Sequence, residues 1–163
     1  MRQLLRRTIG RLRADEGANL VEAAIITPLL LLMTFSTVEF ATLFYVHLAL
    51  ESGVGQATRF VVTGRGMDDP DNPGGTLNRQ QSIIAATRKA APSLTIPDNA
   101  FTFSHMSPGA AVWQGGVGGP GDIERVTVNY NWTVLTPAGR IFFPGGQITL
   151  RSESMMKNES RFE

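Results

Sequence analysis

Apolar residues are spread unevenly along the chain, and their spacing changes character twice. Leu20 to Leu50 is nearly continuous. From Ala23 to Val38, 16 residues carry no charge, and past Glu39 the apolar run resumes from Phe40 to Leu50, broken by His47. A membrane span needs roughly 20 mostly apolar residues in helix. Leu20 to Tyr45 supplies that length, with Glu22 at one interface and Glu39 near the other side. Beyond Tyr45 the period stays helical: Leu48, Leu50, Val54, Ala57, Phe60 and Val61 recur with Glu51, Gln56 and Arg59 between them. Gly64-Arg65-Gly66 then stops the helix. Residues 19–63 are expected to form one rod of about 67 Å at 1.5 Å per residue. Its first half is apolar all round and its second half is amphipathic.

The remainder is richer in Gly, Pro, Asn, Thr and Ser. Residues 64–75 read as a loop by their glycines and prolines. Thr76 is the expected N-cap of a second helix, Leu77 to Ala91, ended by Pro92, with Ile83, Ile84 and Ala90 on a modest apolar face. Phe101-Thr102-Phe103 suggests a short strand. Pro108 to Gly121 is a Gly-rich connection with Trp113 at its centre. The clearest strand is Ile123 to Thr136, where Val126, Val128, Tyr130, Trp132 and Val134 alternate with Thr127, Asn129, Asn131 and Thr133. After Pro137-Ala138-Gly139 comes a short Ile141-Phe142-Phe143 run, then a last strand, Gln147 to Met155. The polar ending, Lys157 to Glu163, is expected to fray. The fold class is α+β: a long N-terminal membrane helix packed on a small antiparallel sheet, with one extra helix. The divisions are residues 1–17 as a leader, 18–63 as the transmembrane and assembly helix, and 64–163 as an exported domain.

Charge sharpens this division. The net charge of +1 hides a leader carrying Arg2, Arg6, Arg7, Arg11 and Arg13 against Asp15 and Glu16, hence +3, while the remainder carries −2. The basicity is a topology signal and not a nucleic-acid footprint, which needs a basic face on a folded domain. No nucleic-acid partner is expected. After the apolar run the first basic residue is Arg59, so the positive-inside rule leaves the N-terminus in the cytoplasm and exports the C-terminal domain. A cleaved secretory signal has an apolar core of 7–15 residues, shorter than this one. A buried globular helix lacks enough apolar material elsewhere to surround it. A plain signal anchor explains everything but the residues around Gly17.

Candidate chemistry is sparse. The chain has 2 His and 0 Cys, which excludes disulfides, thiolate metal sites and Cys nucleophiles. His47 lies in the apolar helix and His105 beside a loop, and no nucleophile–base–orienter set forms around either; no catalytic residue, cofactor or enzyme activity is expected. Glu39 and His47 read as helix-packing or interface residues. Asp68, Asp69, Asp71 and Asn72 crowd oxygen ligands together, but the loop lacks the alternation and closing Glu of an EF-hand. A solvated acidic loop is expected there, and no metal. The Gly-rich connection lacks Gly-Lys-Ser/Thr and is no P-loop. Pro28 leaves the Ala24 carbonyl without its helical partner, so a local kink is expected, with Thr27 placed to repair part of the gap. Gly53, Gly55 and Ala57 are small enough to permit close helix approach.

The leader closes on Asp15-Glu16-Gly17, followed by Ala18-Asn19-Leu20-Val21-Glu22. A plain anchor has no reason to place Glu22 inside the start of its span, where a carboxylate is costly and marks function by default. A basic leader ending in Gly, a small residue next, Glu at the fifth place and an apolar helix at once resemble the type IV pilin and pseudopilin signal. Within that superfamily the chain most resembles the TadE-like minor pilins of tight-adherence (Flp) pili. The likeness rests on residues 16–24, on Pro28-Leu29-Leu30-Leu31-Leu32 and on Val38-Glu39-Phe40. It is strong over residues 16–63 and weaker at Val126-Thr127-Val128-Asn129-Tyr130 and Ile148-Thr149-Leu150, and it does not extend to residues 64–121.

The resemblance implies a bacterial inner-membrane protein, cut by a prepilin peptidase between Gly17 and Ala18. It implies that the freed Ala18 amine of one subunit pairs with Glu22 of its neighbour, fixing an axial register. It also implies the partners: the peptidase, other pilin or pseudopilin subunits, an inner-membrane assembly platform, and lipid. The alternative is a single-pass, signal-anchored envelope protein whose periplasmic binding domain never assembles.

Overall fold

The computed structural model describes the backbone of residues 2–160 and the side chains of residues 17–60 and 62–160. The arginine side chains of the leader lie outside the described residues. Helix α1, Arg2–Val62, spans 61 residues. It begins well before residue 19, so leader and span form one uninterrupted helix that runs through both Gly17 and Pro28. It ends, as expected, ahead of Gly64, whose φ of 78° turns the chain where a side chain would be strained.

The loop after α1 is closed on itself. Asp69 N–H donates to the Gly75 carbonyl at 3.0 Å and Leu77 N–H to Met67 at 2.8 Å, while Asp68 bridges Thr76. Thr76 is therefore taken up by the loop and does not cap the second helix. Helix α2, Arg79–Ala90, starts two residues later than the sequence suggests, because Asn78 caps it. The Asn78 side chain accepts the Gln81 N–H at 2.8 Å and the Gln81 side chain accepts the Asn78 N–H at 3.3 Å, a reciprocal capping box.

Four strands follow: β1, Phe101–Met106; β2, Gln114–Gly115; β3, Ile123–Thr133; and β4, Gln147–Lys157. They form one antiparallel sheet in the order β2-β1-β3-β4, with Phe101 opposite Val128 and Val128 opposite Ser152. The short β2 lies inside the Gly-rich connection. Trp113, just before it, lies under the Arg125 guanidinium, 3.6 Å from the ring centroid. A short helix, α3, Pro137–Phe142, joins β3 to β4 across Pro137-Ala138-Gly139 and the start of the Ile141-Phe142-Phe143 run, where the sequence suggests no helix. Thr136 caps it and Pro137 occupies its first turn, which needs no amide hydrogen.

The core lies between α1 and the sheet. Val46, Leu50, Val54 and Ala57 recur at helical spacing and are buried against Ile83 of α2 and Val126, Val128, Trp132 and Val134 on or beside β3. Burying each such aliphatic side chain contributes roughly 1.5–3 kcal/mol. Of the three small residues on α1, Gly53 permits close approach: a Cβ there would lie 3.1 Å from Ala91 Cβ and 3.2 Å from the Thr87 carbonyl. Ala57 is in the core, and Gly55 faces open space.

A polar pin closes the far end. Arg79 reaches Glu124 at 2.6 Å, the Asn158 side chain at 2.7 Å and the Gly118 carbonyl at 2.8 Å. Burial pushes the Glu124 carboxyl above the ordinary range, and Arg79 and Asn158 offset that only in part. Asn158 is buried and Glu159 N–H donates to the Val62 carbonyl at 3.1 Å, so Lys157 to Glu159 do not fray. Residues 161–163 of the expected frayed end lie outside the described residues.

Candidate functional site

From Gly17 to Phe35 every side chain of α1 is exposed, although most are large and apolar. Leu20 is 71% exposed and Met33 65%. Three threonines at and beyond the end of this stretch satisfy themselves locally. Thr34 and Thr37 donate to the Leu30 and Met33 carbonyls, each at 2.8 Å, and Thr42 to Val38 at 2.7 Å. Such back-bonding lets a hydroxyl lie in an apolar medium without an unmet donor. Among the described residues, the stretch from Gly17 to Phe60 is long and apolar enough to cross a membrane.

The junction residues lie at the start of this bare stretch. Gly17, Ala18 and Glu22 are all exposed, and a Cβ on Gly17 would meet nothing within 4 Å. Ala18 and Glu22 are four residues apart in α1 and so share one helix side. Among the described residues, the fold brings no other part of the chain to them. Pro28 lies among the exposed residues inside α1.

The head begins at Glu39, the first buried side chain after Gly17 and 4% exposed. Its carboxylate lies against the N-terminal end of α3. Oε1 accepts the Leu135 N–H at 2.8 Å; Oε2 accepts the Thr136 N–H at 2.8 Å and the Thr136 hydroxyl. Thr136 Oγ1 in turn accepts the Gly139 N–H at 3.0 Å. These amides end β3 and open α3, where no strand or helix partner exists, so Glu39 supplies what the backbone lacks. Gly139 makes room: a Cβ there would lie 2.6 Å from Val134 Cγ1 and 2.9 Å from Glu39 Oε2. A groove of about 230 Å³ beside this contact is lined by Ser36, Phe40, Leu43, Phe142 and Phe143. Glu39 is thus a packing residue, as its place in the apolar pattern suggested. Its partners were missed, because Thr136 lies 97 residues away and reads as the end of the long strand. The available signal was Thr136-Pro137, a cap followed by proline.

His47 is half-buried on α1, and the His105 Nδ1 lies 3.1 Å from the Gly116 carbonyl. Among the described residues, no group of three or more His, Asp and Glu side chains converges to hold a metal.

Among the described residues, one helix of span length, exposed from Gly17 to Phe35 and rooted in a small α+β head beyond Glu39, is a candidate membrane anchor. The family model described as TadE-like protein matches residues 17–59, from the junction glycine to the last turn of α1, and the chain carries the TadE-like segment there. No curated protein matches the chain, and no solved structure does.

Proposed function

We propose that this chain is a minor pilin or pseudopilin subunit that takes part in assembling or priming a tight-adherence pilus or a related secretion machine. A prepilin peptidase cuts it between Gly17 and Ala18 on the cytoplasmic face. The subunit then waits in the inner membrane, with its head in the periplasm, and joins the assembly through α1. The head itself performs no catalysis. The observation that carries this reading is the TadE-like segment beginning at Gly17, with Glu22 exposed one turn beyond Ala18 on a stretch of helix, Gly17 to Phe35, that none of the described residues covers. An uncovered apolar helix has to be covered by lipid or by other helices, and a carboxylate at its start favours the partner that brings a cation.

Expression with and without a prepilin peptidase, followed by intact mass, tests the first step. A peptidase-dependent start at Ala18, methylated or not, supports the reading; a Met1 start under both conditions reduces the chain to a signal-anchored envelope protein. Glu22→Ala tests the second step. Processing is expected to persist while incorporation with partner subunits falls, and unchanged incorporation would remove the register role of Glu22.

A further inference from the structure

We infer that α3 is a membrane-seated element, with its exposed apolar side chains in the interfacial layer of the bilayer on the head's side. The inference rests on α1 being a membrane span. Three observations carry it. The first is depth. From Leu20 to Glu39, α1 rises about 29 Å at 1.5 Å per residue, close to the hydrocarbon thickness of roughly 30 Å. A span that begins at Leu20 therefore ends at the level of Glu39, which is where α3 is held.

The second is continuity. Phe142 does not point away from the span. It lines a groove with Leu32, Met33 and Ser36, which lie on the membrane side of Glu39, and with Phe40 just past it. Leu135, Ile141 and Phe142 are 60%, 71% and 61% exposed, so one apolar surface runs from the bare helix onto the head. Scattered apolar residues on a surface need no explanation, but a patch joined to a membrane-spanning surface shares its solvent.

The third is polar satisfaction. Backbone groups tolerate the apolar side of an interface only when they are paired. Here the Leu135, Thr136 and Gly139 amides are taken by Glu39 and Thr136, and the Phe143 N–H donates to the Gly139 carbonyl at 2.9 Å. Arg140, the exposed cation of α3, has the long stem that lets a charge reach the phosphate layer while its helix lies lower.

The chain has 0 Cys, so single-cysteine variants carry one spin label each. The full chain, reconstituted in vesicles of phosphatidylethanolamine and phosphatidylglycerol, is labelled at Phe142→Cys, at Leu30→Cys within the span, and at Met155→Cys on β4. Collision with oxygen and with a water-soluble nickel chelate is then measured. Relative to the Met155 site, nickel collision is expected to fall and oxygen collision to rise at the Phe142 site, in the direction of the Leu30 site. A nickel collision rate at the Phe142 site matching that at the Met155 site, with the Leu30 site in lipid, overturns the inference and leaves the span intact. A water-exposed Leu30 site overturns both. Dipolar broadening at the Phe142 site that disappears on dilution with unlabelled chain means a second copy covers the patch, and that also overturns it. Ile141→Cys, labelled in the same way, guards against a local effect of losing the Phe142 ring and is expected to follow the Phe142 site.

Discussion

Replacing Glu39 by alanine tests how the head is held on its helix. The carboxylate is 4% exposed and accepts the Leu135 and Thr136 amides at 2.8 Å each, together with the Thr136 hydroxyl. Alanine leaves the two amides without an acceptor, and each buried, unmet donor costs about 1–3 kcal/mol. The hydroxyl can rotate, so it adds little. Water entering the neighbouring groove recovers part of the loss, which leaves about 2–4 kcal/mol against a typical domain stability of about 5–15 kcal/mol. Glu39→Gln keeps one carbonyl oxygen but turns an NH2 group toward donors, and is expected to fall between alanine and the native chain. Gly139→Ala attacks the same contact from the other side, since its Cβ would lie 2.9 Å from Glu39 Oε2. Part of its damage should vanish when Glu39 is already alanine, giving a coupling of about 0.5–3 kcal/mol in a double-mutant cycle. The assay is denaturant unfolding of the full chain in micelles, followed by the fluorescence of Trp113 and Trp132 together, with amide hydrogen exchange at Leu135 and Thr136. A Glu39→Ala variant within about 0.5 kcal/mol of the native chain, with exchange unchanged at both amides, would refute the account of Glu39 as the seat of α3.

Two further outcomes follow from packing and charge. Gly55→Ala, with open space around it, should stabilise the head by roughly 0.5–1 kcal/mol through helix propensity. Gly53→Leu should cost about 1–3 kcal/mol by forcing α2 away. Equal melting shifts for the two variants would mean that α1 and α2 do not meet at Gly53. Glu124 and Glu153 should act on opposite sides of the pH profile. Burial raises the Glu124 carboxyl, so the stability tied to its proton is present below the ordinary carboxyl value and is lost as pH rises through the raised one. The Arg151 hydrogen bond, helped by the Arg125 charge, holds Glu153 low, so its contribution is present above the ordinary value and is lost as pH falls through the lowered one. In denaturant midpoints measured against pH, the native chain should lose ground to Glu124→Gln with rising pH and to Glu153→Gln with falling pH; parallel curves would remove both assignments.

The parts of the fold that repeat a period were legible in the sequence. The span follows from uncharged length, the second half of α1 from helical spacing, and β3 from strict alternation. Glu124 was also within reach, since it falls on the same parity as Val126 and Val128 and so had to face the core. The start of α2 was misread because Thr76 and Asn78 are both good caps. Only Asn78 has a Gln three residues on, and Thr76 was claimed by its bridge to Asp68. The contacts that seat the head were not legible, because Glu39 and Asn158 act across most of the chain and no local rule pairs residues at that distance. An acidic residue in an apolar helix announced that a partner had to exist, without saying where.

The grip on α1 also sets the geometry of anything built from this chain. The helix is held at Glu39, packed against α2 at Gly53, and tied at Val62 by Glu159. The head is therefore not free to swivel about the rod that carries it. Glu22 lies 17 residues below Glu39, about 26 Å along α1 at 1.5 Å per residue. In a stack of such chains aligned through Glu22, the helix acts as a ruler. Each head is displaced from the next by the stagger of the helices, and the spacing of the outer surface is decided at the foot of the rod.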